Sequence, residues 1–313
     1  MPPAMQLMRR PGLDPNQLAN GCVGTIGTFD GIHRGHRQIL ERVLEEAGKR
    51  NLPSVVVSFE PTPREYFSSS KPPARLMRFR EKFNELQRLG FDWFYCPPFD
   101  AVMECLEPDE FIGRLLIDTL HIQHLVVGDD FVFGRKRKGS IHDLQRAGSE
   151  YGFLVEQVGT IVENSDRVSS TLIRQSLADG ELAAATALLG RHYSMTGRVV
   201  DGQKLGKELG FPTANVNLNR RTSPIAGIFA VRVDGLGATL LNGVASVGTR
   251  PTISGTELLL EVHIFDFNRD IYGEYIRVEF VQKLRDEVRF VDLEALTQQM
   301  HIDAAEARQI LGC

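Results

Sequence analysis

The sequence predicts two domains: an α/β unit built on a Rossmann-like parallel sheet, then an antiparallel β-barrel with a C-terminal helix. Three observations predict this. The chain has 313 residues, long for a single hydrophobic core. In the first half, short apolar runs alternate with segments of helical spacing, the order expected of parallel strands joined by right-handed crossovers. Beyond Leu189, short strand-like runs follow one another closely, punctuated by Gly, Asn and Asp, which suggests a closed barrel. The boundary falls at Leu189–Tyr193, giving domains of residues 1–188 and 189–313.

Cys22–Ile26 is short and apolar, as a buried strand should be, and 35–50 has helical spacing with Ile39, Leu40, Val43, Leu44 and Ala47 on one face. Residues 55–59 form a second β-branched run. Helical spacing over 80–89 precedes Trp93-Phe94-Tyr95, and over 109–120 precedes Leu125-Val126-Val127. The stretch 169–189 reads as one helix closing the first domain. The runs 195–200, 227–233, 239–247, 257–265 and 275–284 then read as strands, and 292–311 as an amphipathic helix.

Basic and acidic side chains nearly balance, 36 against 40, which argues against a general nucleic-acid or membrane-surface binder. The run Arg135-Lys136-Arg137-Lys138 reads as a solvated loop that could also attract ATP at long range. Cys22, Cys96, Cys105 and Cys313 show neither CxxC nor metal-ligand spacing and are expected to be reduced thiols. With no signal-like segment and no apolar stretch long enough to span a bilayer, a cytoplasmic protein is expected. Oligomeric state is left open.

The first chemical constellation is 27–36, Gly-Thr-Phe-Asp-Gly-Ile-His-Arg-Gly-His, which leaves a strand and enters a helix. Ligands of open parallel sheets bind at the carboxyl ends of strands. Glycines there admit a close backbone approach, and a helix start offers unpaired N–H groups to phosphate. His33 and His36 are three apart and share a face, so both imidazoles can donate to phosphate oxygens. An HxxH alone is more simply a tight turn; here strand, glycines and helix in order favour phosphate. The Walker pattern GxxxxGK[ST] is absent.

This stretch resembles the HxGH signature of the nucleotidylyltransferase superfamily. Its wider form, GxFDGxHxGH, is similar to the N-terminal domain of bacterial bifunctional riboflavin kinase/FAD synthetases. The resemblance continues through Phe59-Glu60-Pro61-Thr62-Pro63-Arg64-Glu65, Gly128-Asp129-Asp130-Phe131-Val132-Phe133-Gly134 and Val168-Ser169-Ser170-Thr171-Leu172-Ile173-Arg174. It implies ATP binding by Gly27, Thr28, Phe29, Asp30, His33, His36, Ser169, Thr171 and Arg174, with Asp130 and Phe131 as flavin or phosphate candidates. Ser-Ser-Thr also suits a helix N-cap, and the two readings are compatible. Thr62 stands where the family usually has His, and no catalytic role is assigned to it.

The second constellation runs from Gly202 through Gly206 and Lys207 to Gly210-Phe211-Pro212-Thr213-Ala214-Asn215. Its glycines allow a phosphate-wrapping loop, and Thr213 and Asn215 offer hard oxygens that suit Mg²⁺. Pro-Thr-Ala-Asn alone is only a turn; before a barrel, and with Gly-Phe ahead of it, it resembles the flavokinase motif. So do 242–252, where Ser246 replaces a more usual Asn, 260–265 and 283–290. Glu261 alternates with Leu260 and Val262, so its carboxylate is paired, functional, or on a solvent-facing edge. A kinase acting on a primary alcohol benefits from such a base. His263, two residues on, reads as structural. Arg285 and Phe290 are flavin-binding candidates by the resemblance.

The resemblance spans nearly the whole chain. It implies that riboflavin and ATP give FMN in the barrel, and that FMN and a second ATP give FAD and pyrophosphate in the α/β domain, both with Mg²⁺. The rivals are a nucleotidylyltransferase for a nicotinate or pantetheine compound, against which the barrel argues, and a flavin-binding regulator without activity.

Overall fold

A computed structural model of the chain describes residues 4–10, 18–68, 72–163, 166–202, 210–220, 222–252 and 255–313. It contains two compact units, Met1–Pro73 with Met77–Val168, and Ala74–Leu76 with Ser169–Cys313.

The first unit is a six-stranded sheet in the order β1-β4-β3-β2-β5-β6, with β1 Gln6–Met8, β2 Cys22–Ile26, β3 Ser54–Val57, β4 Trp93–Tyr95, β5 Ile122–Gly128 and β6 Leu154–Val158. Every pairing in it is parallel. Both faces are covered, which is why β2 and β3 read as continuous apolar runs rather than alternating ones. Val23, Val56, Phe94 and Val126 point toward helices α1 Arg34–Arg50 and α3 Phe79–Leu89. Cys22, Val55, Tyr95 and Leu125 point the other way, toward Phe111–Leu116 and α6 Ile141–Tyr151. Between these lie the short helices α2 Pro63–Tyr66, α4 Ala101–Cys105 and α5 Pro108–Phe111, the last continuing as a π-helix to Thr119. Val162–Glu163 and Asp166–Arg167 pair antiparallel as β7 and β8.

The predicted helix over 169–189 is two helices, α7 Ser170–Ala178 and α8 Leu182–Leu189. Gly180, at φ 81°, turns the chain between them, a conformation that ends a helix and that few other residues adopt readily.

The barrel closes in the order β10-β13-β12-β11-β14-β9, all antiparallel. Its strands are β9 Tyr193–Val200, β10 Ala214–Asn217, β11 Gly227–Asp234, β12 Leu241–Thr252, β13 Gly255–Ile264 and β14 Tyr275–Arg285. Met195, Val199, Phe229, Val231, Val247, Leu260, Val262, Val278 and Phe280 fill the interior. Outside, Ala230 and Phe265 are covered by Ala307 and Leu311 of the C-terminal helix α9, Leu293–Leu311. The strand expected over 239–247 begins at Leu241 and runs on to Thr252 as β12, and β10 was expected only as a turn. Among the described residues no helix is long and apolar enough to cross a membrane, and no disulfide forms.

Candidate functional site

In the α/β unit the turn after β2 carries the first candidate site. Phe29 and Ile32 hold left-handed backbone at φ 47° and 41°, with Gly31 at 90° between them. Such strain in side-chain-bearing residues persists where the surroundings fix it, and here they do. The Phe29 ring lies on Gly27, where an added Cβ would sit 2.9 Å from it. The Asp30 carboxylate accepts from the Met77 backbone N–H at 2.9 Å. Lys82 of α3, 5% exposed, donates to the Thr28 carbonyl and to Ser58 Oγ.

His33 is the N-cap of α1, its Nδ1 accepting the His36 N–H at 3.2 Å. With Nδ1 as acceptor, the proton of the neutral ring sits on Nε2, so His33 is set as a donor through that atom. The His33 and His36 rings stack at 3.6 Å, 15° apart, and Phe29 meets His36 edge-on at 5.2 Å. The two histidines therefore form one stacked pair at the helix start, where the helix dipole favours an anion.

At the end of β5, Asp129 accepts from Thr160 N at 3.0 Å and Oγ1 at 2.7 Å, and these bonds hold its carboxyl below the usual range. Arg167 pairs with Asp130 at 2.7 Å, tying β8 to this loop. Phe131 stacks on Phe133 at 5.6 Å. Beside the ends of β3 and β4, Phe59, Tyr66, Phe67 and Phe99 form an edge-to-face cluster with Phe67 60% exposed, a surface able to stack a flat ring. Thr62 caps α2, its hydroxyl donating to Glu65 Oε2 at 3.0 Å, so the departure from His serves the local fold.

In the second unit Ser169 caps α7, its hydroxyl accepting from Leu172 N at 3.2 Å, and Thr171 lies in the first turn. Arg174 donates through Nε to the Ala74 carbonyl at 2.7 Å and through Nη1 to the Ser170 carbonyl at 3.1 Å.

The barrel's second candidate site is a row across three strands. Asn215 of β10 is the partner of Glu261 in β13, and Glu261 is the partner of Ser246 in β12. Partners in adjacent strands face the same side. Leu260, Val262, Ala245, Val247 and Val216 are buried inside, so the row faces outward. A one-residue slip would place Glu261 inside and expose side chains worth about 1.5–3 kcal/mol each, so the row's orientation is firmly set. The Asn215 amide lies against Gly202, where an added Cβ would meet Nδ2 at 2.1 Å and Cγ at 2.4 Å. Glu287 lies over β12, accepting from Ser246 Oγ at 3.3 Å, with its carboxylate 2.1 Å from where a Gly248 Cβ would be. His263, next along the outward face, is hydrogen-bonded to the Pro212 carbonyl. Arg285 forks onto buried Asp303 of α9 at 2.9 and 2.7 Å and lies over the Phe290 ring at 5.7 Å. Gly206 and Lys207 lie outside the described residues. Among the described residues no cluster of His, Cys, Asp and Glu could hold a metal.

Sequence reasoning missed Lys82, the aromatic cluster and Glu287. Lysine on an amphipathic helix reads as a surface charge, and scattered aromatics read as core. Only tertiary placement distinguishes them.

Residues 16–172 match the FAD synthetase family and residues 189–311 the riboflavin kinase family. The bifunctional riboflavin kinase/FMN adenylyltransferase of Escherichia coli K12 is 49% identical over 93% of each chain. That of Haemophilus influenzae is 44% identical over 97% of this chain and 98% of its own. A solved structure described as a macrolide-efflux protein from Streptococcus pneumoniae superposes with a TM-score of 0.82 at 30% identity, covering 97% of this chain and 99% of that one. The chain belongs to the bifunctional riboflavin kinase/FMN adenylyltransferase family. It is an enzyme of FMN and FAD biosynthesis, phosphorylating riboflavin with ATP and adenylylating FMN with ATP to give FAD and pyrophosphate.

Proposed function

We propose that the two reactions divide between the turn after β2 and the outward row of the barrel, within the sequence boundaries 1–188 and 189–313. The observation that carries this reading is the register that aligns Asn215, Glu261 and Ser246 on one outer face.

In the kinase half the Glu261 carboxylate takes the proton of the ribityl 5′-hydroxyl as its oxygen bonds to the γ-phosphorus and ADP leaves. Gly202, with Gly206 and Lys207 by the family resemblance, is assigned to the ATP phosphates. Thr213 and Asn215 are the residues that would hold Mg²⁺, and their neutral oxygens fit an ion that takes few protein ligands beside phosphates and water. That ion would neutralise phosphate charge. Arg285 and Phe290 are the flavin-side residues, with the Arg285 guanidinium held by Asp303.

In the other half an FMN phosphate oxygen attacks the α-phosphorus of ATP and the bond to the β-phosphate breaks, releasing pyrophosphate. The nucleophile is already anionic and needs no base. The backbone of Gly27, Thr28, Phe29 and Asp30, with His33, His36, Ser169, Thr171 and Arg174, orients ATP and offsets its charge. Asp130 and Phe131 lie on the FMN side. A cytoplasmic location is part of this proposal.

A crossed pair of variants tests the division. Glu261→Gln keeps size and hydrogen bonding but accepts no proton. Its riboflavin phosphorylation is expected to fall about 10²–10⁴-fold, while FAD formation from supplied FMN continues. His36→Ala is expected to show the reverse. Steady-state rates of each half-reaction decide it, and loss of both activities together in either folded variant refutes the division.

A further inference from the structure

We propose that His263 is a positioning residue of the kinase site, holding the segment that carries Thr213 and Asn215 in place against Glu261. The inference rests on assigning those three residues to phosphoryl transfer. His263 Nδ1 lies 2.9 Å from the Pro212 carbonyl oxygen. A carbonyl can only accept, so Nδ1 carries the proton and His263 donates.

The location makes this bond consequential. The β10–β13 pairing begins at Ala214 with Val262, so residues 211–213 approach from outside the ladder. Thr213 stands between the ladder and the tethered Pro212. His263 and Glu261 are two apart on β13 and share its outward face, so one strand carries both the proposed base and the tether. The adjacent Phe211, 6% exposed, is gripped edge-on by the His263 ring at 5.1 Å and by His301 of α9 at 4.7 Å. Two rings from different elements thus fix Phe211, while one hydrogen bond fixes Pro212. Without that bond, Thr213 keeps its neighbours but loses a fixed anchor on one side. Displacements of about 1 Å in a positioned site can cost on the order of 10²-fold in rate.

The amide geometry of Asn and Gln separates this role from simple packing. Asn places its N–H₂ where Nδ1 was, and Gln places it nearer Nε2. In the full-length enzyme, His263→Asn is expected to keep riboflavin phosphorylation within about threefold of the parent, while His263→Gln and His263→Ala lose about 10- to 100-fold in kcat, with the KM for riboflavin little changed. FAD formation from supplied FMN should be unchanged in all three. ¹⁵N spectra of the ligand-free protein, assigned by the signal that His263→Asn removes, should show the proton on Nδ1.

Equal activity of Asn and Gln variants, whether both high or both low, overturns the tether, as does a proton on Nε2. If Ala fails to fold, the Asn–Gln contrast still decides. Glu261→Gln is measured in parallel. If it is inactive while the Asn–Gln contrast is absent, the tether alone fails; if it stays active, the reading of the site itself fails.

Discussion

Glycine at 202 and at 248 does what no other side chain could at those places. Each lets a polar side chain rest on bare backbone: the Asn215 amide on Gly202, and the Glu287 carboxylate on Gly248. A Cβ at 202 would stand 2.4 Å from Asn215 Cγ, a separation that cannot persist, so Asn215 must move. Gly202→Ala is therefore expected to slow riboflavin phosphorylation by about tenfold or more, leaving FAD formation from FMN intact. Separate assays of the two half-reactions on one preparation check this, and an unchanged kinase rate would remove Asn215 from the site. At this scale the sequence was most informative where residue type is tightly limited by chemistry. Two histidines at a strand–helix turn, and a carboxylate flanked by buried apolar residues, are chemically conspicuous. Lys82 and Glu287 were illegible because their partners, Thr28 and Ser58 in one case and Ser246 in the other, lie in other elements.

Helix α1 shows how one element serves both a candidate site and stability. Its start presents His33, the N-cap, and His36 in the first turn. Further along, Glu46, with its side chain only 7% exposed, is surrounded by cations. A hydrogen bond from Lys49, with added pull from Arg42 and Arg50, holds the Glu46 carboxyl down at about 2. His124 of β5 faces the same carboxylate at 3.3 Å, and Arg42 also bonds Glu156 of β6 at 2.6 Å, so the network joins α1 to two strands. The folded value lies below the ordinary one near 4.5. Its stabilising contribution is thus full above about pH 4.5 and is lost as pH falls from there toward 2. Glu46→Gln should lower the stability of this unit at pH 7 and flatten its decline between pH 5 and 3. Trp93, the sole tryptophan, lies in β4, so urea unfolding followed by its fluorescence reports this unit. Parallel acid profiles for the two proteins would assign the acid sensitivity elsewhere. Element reading succeeded where periodicity is uninterrupted, as in α1 and β2. It failed at β10, because Pro212 and the polar Thr213 and Asn215 mimic a turn, and at 169–189, where a single glycine divides otherwise continuous helical spacing.

Across the whole molecule, composition change marked two domains, but packing decides which helices go with which core. Helices α7 and α8 cluster with the barrel unit. Leu182, Ala185, Leu188 and Leu189 of α8 are buried, and α8 packs on β9 and β14. The Lys283 stem lies across Gly180, so even the turn between the helices is seated on a barrel strand. Periodicity could not show this, since an apolar helix face looks the same whichever core it covers. The closed barrel leaves no unpaired sheet edge, a condition that favours folding in isolation. A fragment spanning 169–313 is therefore expected to unfold cooperatively and to make FMN but no FAD. A fragment spanning 189–313 discards the three residues that α8 buries ahead of Leu189. At about 1.5–3 kcal/mol for each large apolar side chain, the loss is on the order of 5 kcal/mol, enough to lower the melting midpoint by at least about 10 °C. Both fragments lack Ala74–Leu76, whose carbonyls accept from Arg174 and Arg220, so the difference between them isolates α7 and α8. Calorimetry of the pair, with FMN formation measured on each, tests the point: equal midpoints would make those two helices a covering that the barrel does not need.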